Sequence, residues 1–175
     1  MKKITYIQFA IYFAMGLFTP AWLKIILGQG NSLETFGLLF GLMSLGSIVS
    51  AYLVGWACEG RNPLKILSWT LVLQGSVMLA YLIPNAPLYV LQALFGALEA
   101  SLVTLQQILI AHYSNGATGK IGVHNSFVQA AIGFSMIGGG FLALWIGAST
   151  VILFSVAILF ITAIGVRVLP PSVDR

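Results

Sequence analysis

Residues 88–111 read LYVLQALFGALEASLVTLQQILIA. The run is long enough to cross about 30 Å of hydrocarbon, which takes about 20 helical residues. Its one charge is Glu99, near the middle, and the chain has only four acidic residues. A carboxylate at the centre of a span costs roughly 2.5–3.5 kcal/mol on insertion scales, so such a residue is a functional candidate by default. Gln92, Glu99 and Gln106 recur at a spacing that places them on one helical face. A stripe of that kind faces a bundle interior or an aqueous cavity rather than lipid.

The rest of the chain has the same character. Hydrophobic residues make up 59% of the 175 residues and charged residues 7%, where soluble domains carry about 25% charged residues. Mean hydropathy is +0.99. Six spans are expected, at about 4–27, 34–57, 65–84, 87–112, 121–144 and 148–169. This is an all-α membrane protein, and its connections are too short to hold a soluble domain.

If the spans alternate, Lys2, Lys3, Arg61, Lys65, Lys120, Arg167 and Arg175 fall on one side and only Lys24 on the other. The positive-inside rule then places both termini in the cytoplasm, in an inner (cytoplasmic) membrane. The net charge of +4 is thereby explained without a nucleic-acid partner. The first span begins with two lysines but runs on without a small-residue cleavage site, so it reads as an uncleaved helix. Cys58, the single cysteine, excludes an intramolecular disulfide and lies where thiols stay reduced.

The connections have turn compositions: EGRNPLK at 59–65, YSNGATGK at 113–120, GQGNSL at 28–33, PNAP at 84–87 and GAS at 147–149. Spans 1–3 and 4–6 match in length and run in opposite senses, the pattern of inverted repeats in secondary transporters. The repeats are expected at about 1–84 and 85–175, within one six-helix domain. Spans 2 and 5 are rich in Gly, Ser and Ala, which lets helices approach closely in lipid.

Other polar groups could line a path. Gln8, Tyr12, Met15 and Thr19 share a face of span 1, where Pro20 removes a backbone hydrogen bond. Asn125 and Gln129 lie one turn apart in span 5, with Gly122 and Gly133 beside them. His124 and His112 sit near the cytoplasmic ends, where solvated histidines are ordinary. Trp22, Trp56, Trp69 and Trp145 fit an aromatic belt. There is no phosphate-cradling loop, no Cys/His metal spacing, and no nucleophile with a base in reach, so neither enzyme chemistry nor a cofactor nor a metal is expected.

Several stretches together resemble the major facilitator superfamily, specifically its N-terminal six-helix half. Gly16-Leu-Phe-x-Pro20-x-Trp22-Leu23-Lys24 and Glu34-Thr-Phe-Gly37-Leu-Leu are similar to the phenylpropionate permease and lactose permease branch. Gly55-x-x-x-Glu59-x-Arg61, followed by Lys65, falls where the family has its loop 2–3 motif, with Glu for Asp. The resemblance implies that Gly55, Glu59, Arg61 and Lys65 take part in switching between inward- and outward-facing states. Gly96-x-x-Glu99-Ala100 resembles a span 4 pattern, with Gln92 where an Arg is often found. Ala131-x-x-x-Ser135-Met136-x-x-Gly139-Gly140 matches the antiporter motif of span 5 poorly. Lactose permease's sugar-binding carboxylate and arginine have no counterparts here, which argues against a galactoside.

The resemblance implies half of a proton-coupled carrier of a small organic solute, working by alternating access. Its substrate- or proton-binding residues would be Glu99, Gln92, Gln106, Tyr12, Asn125 and Gln129. Its partners would be the lipid bilayer, the solute, protons, and a second six-helix half, either a second copy or a separate chain. The rival expectation is a membrane scaffold or accessory subunit that keeps the fold without transporting.

Overall fold

The computed structural model describes residues 2–28, 33–114 and 118–168. Parts of the turns expected at 28–33 and 113–120, together with Arg175 and the rest of the 169–175 tail, lie outside the described residues. Six helices follow one another: α1 (Lys2–Gly28), α2 (Leu33–Ala57), α3 (Pro63–Ala80), α4 (Leu88–Ser114), α5 (Thr118–Trp145) and α6 (Ala148–Arg167). All six are long and apolar enough to cross a membrane, so the chain is a multi-pass membrane protein. No strand occurs among the described residues.

Three boundaries move from expectation. α3 ends at Ala80 rather than near Pro84, because the residue before a proline is pushed out of helical geometry and proline supplies no N–H. The turn there is closed by Ala86 N–H to Ile83 O (3.2 Å), with Asn85 at φ 58°. α4 and α5 extend into the stretch read as a loop at 113–120. The turn expected at Asn62-Pro63 is present: the Asn62 side chain caps α3 by accepting from Leu64 N–H (2.9 Å), and Pro63 takes the first helical position.

Side-chain contacts fix the helix directions. Thr5 meets His124, Gly16 meets Ser135 and Lys24 meets Ala143, so α1 and α5 run parallel. Ser47 meets Gly96 and Ser50 meets Ser101, so α2 and α4 run parallel. Ser68 with Arg167 and Gly75 with Phe160 make α3 and α6 antiparallel. These directions give a bundle in which consecutive helices alternate. Lys2, Lys3, Arg61, Lys65, Lys120 and Arg167 therefore share one end and Lys24 the other.

Close approach replaces hydrophobic driving force at the two parallel pairs. A Cβ at Gly96 would collide with the Met43 carbonyl, and one at Gly46 with the Ala93 carbonyl. Gly16 and Gly139 make the equivalent approach between α1 and α5, against Ser135 and Leu17. α1 also packs along α6, and α3 along both α4 and α6. α1 stays helical through Pro20. The carbonyl that the proline ring crowds, and whose hydrogen bond it removes, is that of Gly16, four positions back.

A polar seam as the candidate functional site

Glu99 lies two residues from the centre of α4, about 3 Å along the axis. It is half-buried. Tyr12 of α1 is close enough to feel its charge. No side chain among the described residues hydrogen-bonds or ion-pairs its carboxylate. Glu99 and Tyr12 are the central rung of a polar seam between α1, α3 and α4.

The other rungs are closed. On the strongly basic side of the bundle, Gln8 Nε2 donates to the backbone carbonyl of Gln106 (3.5 Å), and both side chains are buried. Above Tyr12, Gln74 Nε2 approaches Met15 Sδ (3.9 Å). At the far end, Tyr81 O–H donates to Gln92 Oε1 (2.6 Å), and Gln92 Nε2 approaches Met43 Sδ (3.4 Å). The carbonyl oxygens of Gln8 and Gln74 are buried without a partner. Each such oxygen forgoes a hydrogen bond worth about 1–3 kcal/mol when desolvated.

Of the stripe read from α4, only Glu99 is not fully buried. Gln92 is 2% exposed and Gln106 3%. They share a helical face, as their spacing requires, but α2 covers one and α1 the other. Both side chains are buried within this six-helix unit. Asn125 and Gln129 are exposed on α5 together with Gly122 and Gly133. No hydrogen bond or charge interaction joins them to Glu99 among the described residues.

His124 overturns the solvated reading. It is 2% exposed, and its Nδ1 lies 3.2 Å from Thr5 Oγ1. Trp22 is likewise no belt residue: it is buried against Phe36 (5.6 Å), Phe40 (6.1 Å) and Tyr81 (6.4 Å). Phe18 and Phe95 (5.1 Å apart) continue this aromatic plug. It seals the seam at the end away from the basic loops. Sequence reasoning missed Tyr81 as a seam member, while Gln8 was read from the span 1 face it shares with Tyr12. Tyr81 sits just past the end of α3, where a tyrosine reads as a belt residue.

Glu59 and Arg61 in the short connection after α2, and Lys65 in the first turn of α3, are exposed. Gly60 at φ 70° turns the chain, and Arg61 N–H donates to Cys58 O (3.3 Å). Gly55 has open space where a Cβ would be. Burial pushes the Cys58 thiol above its ordinary pKa.

Six apolar crossings, parallel pairs locked by glycine and a single central carboxylate are features of a membrane carrier. The family profile of the major facilitator superfamily matches residues 4–175. The chain belongs to the major facilitator superfamily. Members of that family are transporters, so the function is of the transporter type. No curated protein and no solved structure matches the chain significantly.

Proposed function

We propose that the chain is half of a proton-coupled secondary transporter for a small organic solute, on the phenylpropionate and lactose permease side of the superfamily. The observation that carries the proposal is the half-buried, unpaired Glu99 beside Tyr12 at the middle of the bundle. The ionised form is disfavoured there, and the side chain remains open to a ligand. Glu99 takes and releases the proton, Tyr12 supplies a hydroxyl to the solute, and Asn125 and Gln129 on the open face of α5 belong to the solute path. The α2–α3 turn, with Gly55 before it and Glu59, Arg61 and Lys65 exposed on it and just after it, changes its contacts as the halves rock.

Residues 1–84 and 85–175 form the two inverted repeats in this reading. Exchanging α1 with α4, α2 with α5 and α3 with α6 maps the α1–α5 pair onto α4–α2 and the α1–α6 pair onto α4–α3, while α3–α6 maps onto itself. A second six-helix half covers α2 and α5. Gly37 and Gly41 of α2, and Gly122, Gly133 and Gly138 of α5, have nothing within 4 Å of an added Cβ. The strongly basic end faces the cytoplasm of the inner membrane. One observation favours the rival scaffold reading: Gln92 and Gln106 are spent on packing, which leaves few polar groups for a solute.

The test uses proteoliposomes with a pH-sensitive dye inside and a panel of small organic solutes outside. The wild-type protein should give a solute-dependent pH change and accumulate that solute under an imposed pH gradient. Glu99→Gln should lose accumulation and keep solute exchange. Accumulation that is unchanged in Glu99→Gln removes the residue from coupling. A protein that moves no solute in the panel favours the scaffold.

A further inference from the structure

On the far side of α3 from the seam, a groove of about 420 Å³ runs between α3 and α6. It is lined by Trp69, Val72, Phe160, Ala163, Ile164 and Arg167. Trp69 lies on the face of α3 opposite Leu67, Leu71 and Gln74, which are buried. The groove therefore opens to lipid and shares nothing with the Glu99 site. Its floor forms where Phe160 lies against Gly75, a position with no room for a Cβ.

The mouth of the groove is built around one cation. The Arg167 guanidinium sits 4.5 Å over the Trp69 ring. Its Nε donates to Ser68 Oγ (2.9 Å), and that hydroxyl donates in turn to the Ala163 carbonyl (2.9 Å). Stacking and the Nε bond hold the guanidinium plane, while no carboxylate among the described residues pairs with it. The terminal nitrogens are left for an outside acceptor. An oriented guanidinium recognises phosphate by two parallel N–H bonds. Lys65, one turn before Trp69 on the same face of α3, adds a second positive charge at the rim. Trp69 is about 9 Å inside the start of α3, at the depth where indoles meet head groups.

We propose that this α3–α6 groove binds an anionic phospholipid of the leaflet on the strongly basic side, with its phosphate on Arg167 and an acyl chain along Val72, Phe160 and Ile164. A free anion would satisfy the guanidinium alone. The apolar trough directly below the guanidinium fits a ligand with a charged head and a hydrocarbon tail.

The protein is reconstituted in phosphatidylcholine bilayers doped with brominated phosphatidylglycerol or brominated phosphatidylcholine. Bromine on the acyl chain quenches nearby tryptophan fluorescence. The part due to Trp69 is the difference between wild type and Trp69→Phe. Trp69 should be quenched by the anionic lipid at about fivefold lower mole fraction than by the zwitterionic one, the preference expected of one basic side chain at the surface. Arg167→Gln should abolish that preference. Arg167→Lys, which keeps the charge and loses the fork, should reduce it and stands in if the glutamine variant does not fold. Inorganic phosphate should not displace the lipid. Equal quenching by the two lipids overturns the proposal, as does a preference that survives both Arg167 variants. Displacement by inorganic phosphate assigns the site to a soluble anion and overturns the lipid reading.

Discussion

Gly96 sits where α2 and α4 are closest, and Gly96→Ala tests that seam directly. The added methyl would meet the backbone of Met43 rather than a side-chain tip. Rotamer changes cannot relieve a clash with backbone, so the helices must part. Parting them weakens Ser47 Oγ–Gly96 O (2.9 Å) and Ser50 Oγ–Ser101 Oγ (2.5 Å). Interhelical hydrogen bonds in membranes average about 0.6 kcal/mol each. Overpacking adds about 1–3 kcal/mol, and alanine returns up to about 1 kcal/mol of helix propensity over glycine. The net cost is about 1–3 kcal/mol. Gly41, on the same helix as Met43, has nothing within 4 Å, so Gly41→Ala should be neutral or stabilising by up to about 1 kcal/mol. Denaturant unfolding followed by helical circular dichroism, in one detergent for all variants, reads both changes. Equal midpoints for the two variants would refute the claim that backbone contact at Gly96 holds α2 to α4.

Tyr81→Phe should cost about 1–3 kcal/mol in the same assay, because it leaves the buried Gln92 carbonyl without its donor; an unchanged midpoint would show that the amide finds another partner. Gly41→Leu and Gly133→Leu should leave the six-helix unit folded and prevent its association with a second unit, read by crosslinking in bilayers; association at the wild-type level would show that the open faces of α2 and α5 are not the joining surfaces. With Cys58→Ser as background, Arg61→Cys and Ser149→Cys should react with an impermeant maleimide from opposite sides of the membrane, Arg61→Cys from the cytoplasm. Reaction of both from one side would contradict six alternating crossings.

The spans were legible because hydrocarbon thickness sets helix length. Glu99 stood out for the same reason, as a charge where charges are costly. The fate of its neighbours was not legible. Periodicity shows that Gln92, Glu99 and Gln106 share a stripe, but it does not say which other helix lies over each. Met43 and Tyr81 close over Gln92, while Gln8 closes over Gln106, and these partners come from three other parts of the chain. His124 and Trp22 misled in the same way. Their closeness to a helix end suggested solvent or interface, but Thr5 and the aromatic plug bury them.

The parallel pairs also constrain how the chain is made. α2 finds its tightest neighbour in α4, about 50 residues later, and α1 finds its own in α5, 119 residues on from Thr5 to His124. At about 5–20 residues per second of synthesis, α1 waits roughly 6–24 s for that partner. During the wait the glycine notch at Gly16 and the lone lysine at Lys24 have no counterpart to receive them. The first three helices therefore enter the membrane without their tightest partners, and the bundle closes only when α6 packs against both α1 and α3.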